Sequence, residues 1–217
     1  MRKFIDRLLA AVGLTASTEP KTELVDVDSI LFSMPTISGD SIEYVMPTEA
    51  TVEDAIEFHE DMWSQLEFYP KVRLKELQQK LKEYKTFEAK NRVESGWKNI
   101  YLRNISRDKF KVDVNILGKL QNAQILPAPI LTTSSNVLGQ VKGGFTVTIG
   151  EGALLYGLVK NNNIIILAAN VHSDQGNNTL ITAFMSLNKL EKLILIDWRE
   201  QMIIMSGSDG KLDVWKP

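Results

Sequence analysis

Few residue types able to do chemistry occur in this chain, and none falls into a catalytic pattern. His172-Ser173-Asp174 is the one place where a histidine, a hydroxyl and a carboxylate adjoin. A Ser-His-Asp triad needs three converging side chains, whereas neighbours in an extended segment point to alternate sides. His172 and Asp174 therefore define a hydrolase alternative, with His59 and Glu60 as its other acid-base candidates, set against a plain turn. Asp174-Gln175-Gly176-Asn177-Asn178 is rich in oxygen, but it is far shorter than a calcium loop and also reads as a turn. Glu53, Glu57, Glu60 and Asp61 fall on the polar side of a helical pattern. Carboxylates in that position ordinarily form a solvated face, and Glu57 with His59 lacks the Glu-x-x-His spacing of a di-iron helix. No metal is expected.

A nucleotide site is not expected either. Gly150-Glu151-Gly152 follows the strand pattern Phe145–Ile149, as a dinucleotide turn would. The third glycine is displaced, because Gly157 lies beyond the fingerprint spacing. The acidic residue expected further on is replaced by Ala168-Ala169-Asn170. No phosphate-binding Gly-Lys-Ser/Thr motif occurs, and the chain contains no cysteine, which excludes disulfides and thiolate metal ligands.

Charge is the more informative property. The net charge is −2, yet residues 1–60 hold 4 basic and 12 acidic side chains, and residues 61–119 hold 14 and 8. Lys71, Lys75, Lys82 and Lys85 run along one flank of a helical pattern, with Tyr84, Phe87, Trp97 and Tyr101 interleaved in the basic 71–111 segment. Such a surface fits an anionic protein, or a nucleic-acid backbone with stacked bases. The pI of about 5.8 and the absence of a nucleic-acid-binding motif place nucleic acid second.

Phe4, Ile5, Leu8, Leu9 and Val12 share one face of an amphipathic helix over residues 1–13. Packing on its own domain or a partner is the first reading. Peripheral membrane contact of residues 1–12 and a cleaved export signal are the others. Residues 14–23, polar and containing Pro20, read as a linker. No apolar run reaches the ~20 residues that span a bilayer.

The elements around these residues predict an α+β fold. Its mostly antiparallel (mixed) sheet ends in a C-terminal β-meander over Leu193–Trp198, Met202–Met205 and Leu212–Trp215. Thr51 with Asp54 resembles a capping box, opening a helix that ends before Pro70. Leu74, Leu77, Leu81 and Tyr84 then mark a second helix, and the two together form an αα-hairpin (about residues 51–93) packed on the sheet. Phe110–Ile116 alternates as a strand. Residues 153–159 and 164–169 pair across Asn161-Asn162, and a helix covers about residues 179–190, capped by Asn178 or Thr179. Residues 24–217 then form one α+β domain, with a subdivision at 24–119 and 120–217 as the alternative.

The functional expectation is a cytoplasmic, cofactor-free, non-catalytic protein-interaction or assembly module. It would be an oligomer, or bind a protein partner through Phe4, Ile5, Leu8, Leu9, Lys71, Lys75, Lys82 and Lys85. A toxin- or effector-neutralising (immunity-like) protein using its acidic 49–61 face, a nucleic-acid binder through 71–111, and the His172/Asp174 hydrolase are the alternatives.

Overall fold

The structure, a computed structural model, describes residues 31–107, 110, 112–207 and 209–217. The expected N-terminal helix with Phe4, Ile5, Leu8 and Leu9, and the 14–23 linker, lie outside the described residues. The chain runs through β1 (Thr36–Ser38), β2 (Tyr44–Val45), a one-turn helix α1 (Glu49–Val52), β3 (Glu57–His59) and β4 (Leu66–Pro70). The long helix α2 (Leu74–Asn91) follows, then β5 (Arg92–Val93), β6 (Gly96–Trp97), β7 (Tyr101–Arg103) and β8 (Val112–Asp113). After a 3-10 turn come β9 (Gln124–Leu126), β10 (Ile130–Thr132), β11 (Val137–Val141), β12 (Gly144–Thr148), β13 (Ala153–Lys160) and β14 (Asn163–Val171). Helix α3 (Asp174–Glu191) and strands β15 (Leu193–Asp197), β16 (Met202–Ser206) and β17 (Leu212–Trp215) complete it.

This is an α+β architecture with mostly antiparallel pairing. One large sheet has the order β17-β16-β15-β4-β14-β13-β12-β9, and β8 adds to β14. All its pairs are antiparallel. A four-stranded sheet, β2-β11-β10-β3, is mixed because β10 and β3 run parallel. The β13–β14 hairpin turns at Asn161 (φ 52°) and Asn162 (φ 61°), left-handed positions that asparagine tolerates. The meander β15-β16-β17 forms as its alternation and turns dictate.

Strand phase decides what each face meets. Leu193 and Leu195 of β15, Leu155 of β13 and Phe68 of β4 face α3, packing on Leu180, Phe184 and Leu187. Ile194 and Ile196 point the other way, onto Leu77, Leu81 and Tyr84 of α2. Beside α2, Leu131 and Val141 of the four-stranded sheet, with Trp63 after β3, pack on Leu154, Tyr156 and Leu158 of that second face. Residues 31–217 form one compact unit.

Three expectations are corrected. The first half of the αα-hairpin does not form. Helix α1 is only four residues long, Asp54 (φ 62°) and Ser64 (φ 55°) interrupt any helical path, and Leu66–Pro70 is a strand inserted between β14 and β15. Val52, Ile56, Trp63 and Leu66 recur at helical spacing in the sequence, but β4 buries Glu67, Phe68 and Tyr69 on both faces, and that tertiary burial overrides local propensity. The cap also shifts: Thr51 Oγ1 accepts the Thr48 backbone N–H at 2.8 Å. Second, the strand expected over Phe110–Ile116 contracts to β8. Asp113 accepts the Asn115 N–H at 2.8 Å and opens a 3-10 turn, Val114–Lys119, that buries Ile116 and Leu117. Third, Asp174–Asn178 is the first turn of α3 rather than a loop. Ser173 is its cap, accepting the Gly176 N–H at 3.1 Å.

Candidate functional site

His172 and Asp174 line a cleft of about 530 Å³ at the ends of β14 and β15. The cleft exists because β4 begins at Leu66, opposite Ala169 on one side and Asp197 on the other, while β14 continues to Val171. Its floor is Met62, Leu66, Ala169 and Val171, and Asn177, Asp197 and Arg199 join His172 and Asp174 around it. Burial raises the Asp197 carboxyl above its ordinary range, opposed by the backbone N–H of Glu200 at 2.9 Å. Sequence reasoning missed Asp197 and Arg199, which lie more than 20 residues from His172 and join it only through sheet order.

Of the acid-base candidates, the cleft gathers His172 and Asp174 with Asp197, and His59 and Glu60 are not among its lining residues. Ser173 Oγ is occupied as the α3 cap. His59, the other histidine, lies elsewhere: its Nδ1 accepts the Asp61 N–H at 3.2 Å, and its Nε2 is 3.4 Å from Ser134 Oγ. Among the described residues, no group of three or more histidine, aspartate or glutamate side chains is arranged to hold a metal. The Gly150-Glu151-Gly152 turn has a packing explanation. A Cβ on Gly152 would come within 1.8 Å of Ser173 Oγ, so the glycine lets the β12–β13 turn approach the start of α3.

Of the lysines expected to bind a partner, Lys71 lies in the 3-10 turn Lys71–Arg73 and Lys75, Lys82 and Lys85 lie on α2. Lys71, Lys75, Lys82 and Lys85 are all exposed. The acids between them are paired locally, Glu76 with Arg73 of the preceding 3-10 turn at 2.6 Å and Glu83 with Lys80 of the same helix at 2.9 Å. Lys71, Lys75 and Lys82 form no ion pair among the described residues, while Lys85 donates to the Pro217 carbonyl. Of the aromatic residues expected to stack bases, Phe87, Trp97 and Tyr101 are half-buried, with Arg92 over the Trp97 ring at 6.0 Å. Tyr84 is fully buried and stacks on Tyr101 at 5.1 Å, and Phe87 packs on the same ring at 5.4 Å. Helix α2 thus presents charge without an aromatic platform.

Beneath the second face of the sheet lies a buried charge network. Arg107 holds Asp40 with two hydrogen bonds, at 2.8 and 2.6 Å, and pairs with Glu67, which is 1% exposed. Tyr69 donates to Glu67 at 2.8 Å. Burial raises the Glu67 carboxyl, with Arg107 opposing. Burial also works against the Arg107 cation, but Glu67, Tyr69 and Asp40 outweigh it and raise its pKa. Arg107 faces two carboxylates, Asp40 and Glu67, and so stays charged. Arg103, 3% exposed, forms no ion pair with a carboxylate among the described residues. It is held by Thr36 Oγ1 (3.1 Å), Gln65 Oε1 (3.3 Å) and the Ser64 carbonyl (3.0 Å), over the Trp198 ring at 5.2 Å.

Comparison with protein-family models, curated proteins and solved structures finds no match. No helix among the described residues is long and apolar enough to cross a membrane.

Proposed function

We propose that this protein is a non-catalytic interaction module whose α2 lysine stripe takes an acidic surface of another protein. The supporting observation is local charge imbalance. The acids between the lysines, Glu76 and Glu83, pair with Arg73 and Lys80, while Lys71, Lys75 and Lys82 are exposed and form no ion pair among the described residues. Flexible ammonium groups suit an irregular carboxylate surface, which needs charge more than fixed geometry. Nucleic acid is disfavoured because the nearby rings pack into the core.

The test is fluorescence anisotropy of labelled poly-L-glutamate against wild-type protein and Lys71→Glu/Lys75→Glu/Lys82→Glu. Wild-type binding should weaken with salt, and the triple variant should lose about tenfold in affinity, since three exposed pairs each contribute up to ~0.5 kcal/mol. An oligodeoxythymidine of equal charge should bind no better than the polypeptide. Affinity unchanged by charge reversal, or a clear preference for the oligonucleotide, would sink the proposal.

A further inference from the structure

Strand β14 outruns one of its neighbours. On one side it stays paired with β13 as far as Val171, and the His172 backbone N–H then donates to the Gly152 carbonyl at 3.0 Å. On the other side its pairing with β4 stops at Ala169, opposite Leu66. Peptide groups alternate in direction along a strand. With His172 turned to β13, Val171 is turned to the β4 side, where it lines the 530 Å³ cleft. Continuing the register would set Ser64 opposite Val171. Ser64 instead turns away at φ 55°: its N–H donates to the Tyr156 hydroxyl at 2.9 Å, and its carbonyl accepts from Arg103 at 3.0 Å. The N–H and C=O of Val171 therefore have no strand partner on that side among the described residues. We propose that the cleft takes an extended peptide segment of a protein partner, which lies in line with β4 and exchanges backbone hydrogen bonds with Val171.

The orphaned peptide groups are the first argument. Val171 is half-buried and belongs to a strand in the middle of the large sheet, where both edges are ordinarily paired. An incoming strand satisfies an N–H and a C=O on the same residue together, which is how extended peptides add to sheets.

The turn that keeps the gap open is the second. Left-handed backbone is unfavourable for serine, and the Ser64 hydroxyl is buried with no hydrogen-bond partner among the described residues. The Tyr156 and Arg103 bonds hold the residue there nonetheless. The ladder is thus interrupted by a fixed turn and not by a frayed strand end.

The walls supply the third. Asp174 and Asp197 stand with Arg199, so neither sign of charge has the cleft to itself. The side-chain amides of Asn170 and Asn177 make no hydrogen bond among the described residues. An amide both donates and accepts, as a peptide group does. Such walls suit a short stretch of main chain better than an ion. None of the α2 stripe lysines lines the cleft, so this site does not depend on that one.

The experiment titrates the full chain with acetyl-Thr-Val-Thr-Val-amide and follows backbone amide signals by NMR. The control is the same peptide N-methylated at every internal amide, which keeps the side chains and removes the donors. In the free chain the Val171 amide should exchange with solvent about tenfold faster than the paired His172 amide. The unmethylated peptide should give saturable shifts centred on residues 169–172 and slow Val171 exchange, and the methylated one should do neither. Val171→Pro removes the amide, and Asn177→Trp fills the cleft from an exposed position. Each should weaken binding by about tenfold. Lys71→Glu/Lys75→Glu/Lys82→Glu should leave it unchanged, which separates the cleft from the stripe. A Val171 amide as protected as that of His172 in the free chain would overturn the proposal. So would equal response to both peptides, or unaltered affinity in well-dispersed Asn177→Trp protein.

Discussion

On the α3 side of the large sheet, Phe68, Leu155, Leu167 and Leu195 meet Leu180, Phe184 and Leu187 in a wholly apolar layer. On the opposite side, Glu67, Arg73 and Arg103 are each at most 4% exposed, and the hydroxyls of Tyr69 and Tyr156 enter the same layer. Both layers exclude water, but by different means. Apolar burial is non-directional, so many neighbours would serve a leucine equally well. A buried charge needs a particular partner: Glu67 requires Arg107, and Arg103 requires the carbonyl of Ser64 and the amide of Gln65. The polar face therefore pins segments far apart in sequence, residues 36–40 and 101–107, onto β4.

The comparison can be broken most sharply at Arg107. Arg107→Met should cost about 4 kcal/mol in urea unfolding, because it leaves Glu67 buried without its cation. Adding Glu67→Gln should recover part of that loss. A cost below roughly 1 kcal/mol would mean that the charges do not organise this face.

The apolar face offers the next largest effect. Leu187→Ala should lose about 3 kcal/mol through lost transfer energy and a cavity. Leu187→Met should lose only about 1 kcal/mol, since volume is kept. Equal losses from the two variants would show that the α3 layer is as exacting about shape as the other face is about charge.

The smallest effect concerns Asp197, the half-buried acid at the rim of the apolar layer. Its folded-state pKa is raised by burial, so its contribution to stability is full below the unfolded value of 3.8 and lost as pH rises through the folded value. Asp197→Asn escapes that loss. Its melting temperature relative to wild type should therefore rise between pH 4 and pH 7. A flat or falling difference would contradict the sign.

Much of the apolar packing on both faces was legible in the chain. The spacing of Leu77, Leu81 and Tyr84 marks the buried stripe of α2, and Asn161-Asn162 marks the β13–β14 turn. Residues 179–190 fall within α3, although its true start is five residues earlier, at Asp174. The meander reads directly from short apolar runs between turns. The polar half was legible only in fragments. Glu67 looks like one more surface carboxylate until Arg107, 40 residues away, is brought against it. In the same way Asp197 and Arg199 reach His172 only through the strand order β15-β4-β14. The lysines of α2 were visible as a stripe, but whether the neighbouring acids cancelled them depended on rotamers and contacts.

By itself, the order of residues determined the β13–β14 hairpin, most of α3 and the C-terminal meander, because period and turn chemistry act within a few positions along the backbone. Tertiary structure alone decided that Leu66–Pro70 is a central strand rather than the end of a helix, and that Asp40, Glu67, Arg103 and Arg107 share one buried layer. The physical reason is range. Hydrogen bonds to β14 and β15 and the pairing of desolvated charges reward contacts between distant segments, and those rewards exceed the few tenths of a kcal/mol by which local propensity prefers one conformation.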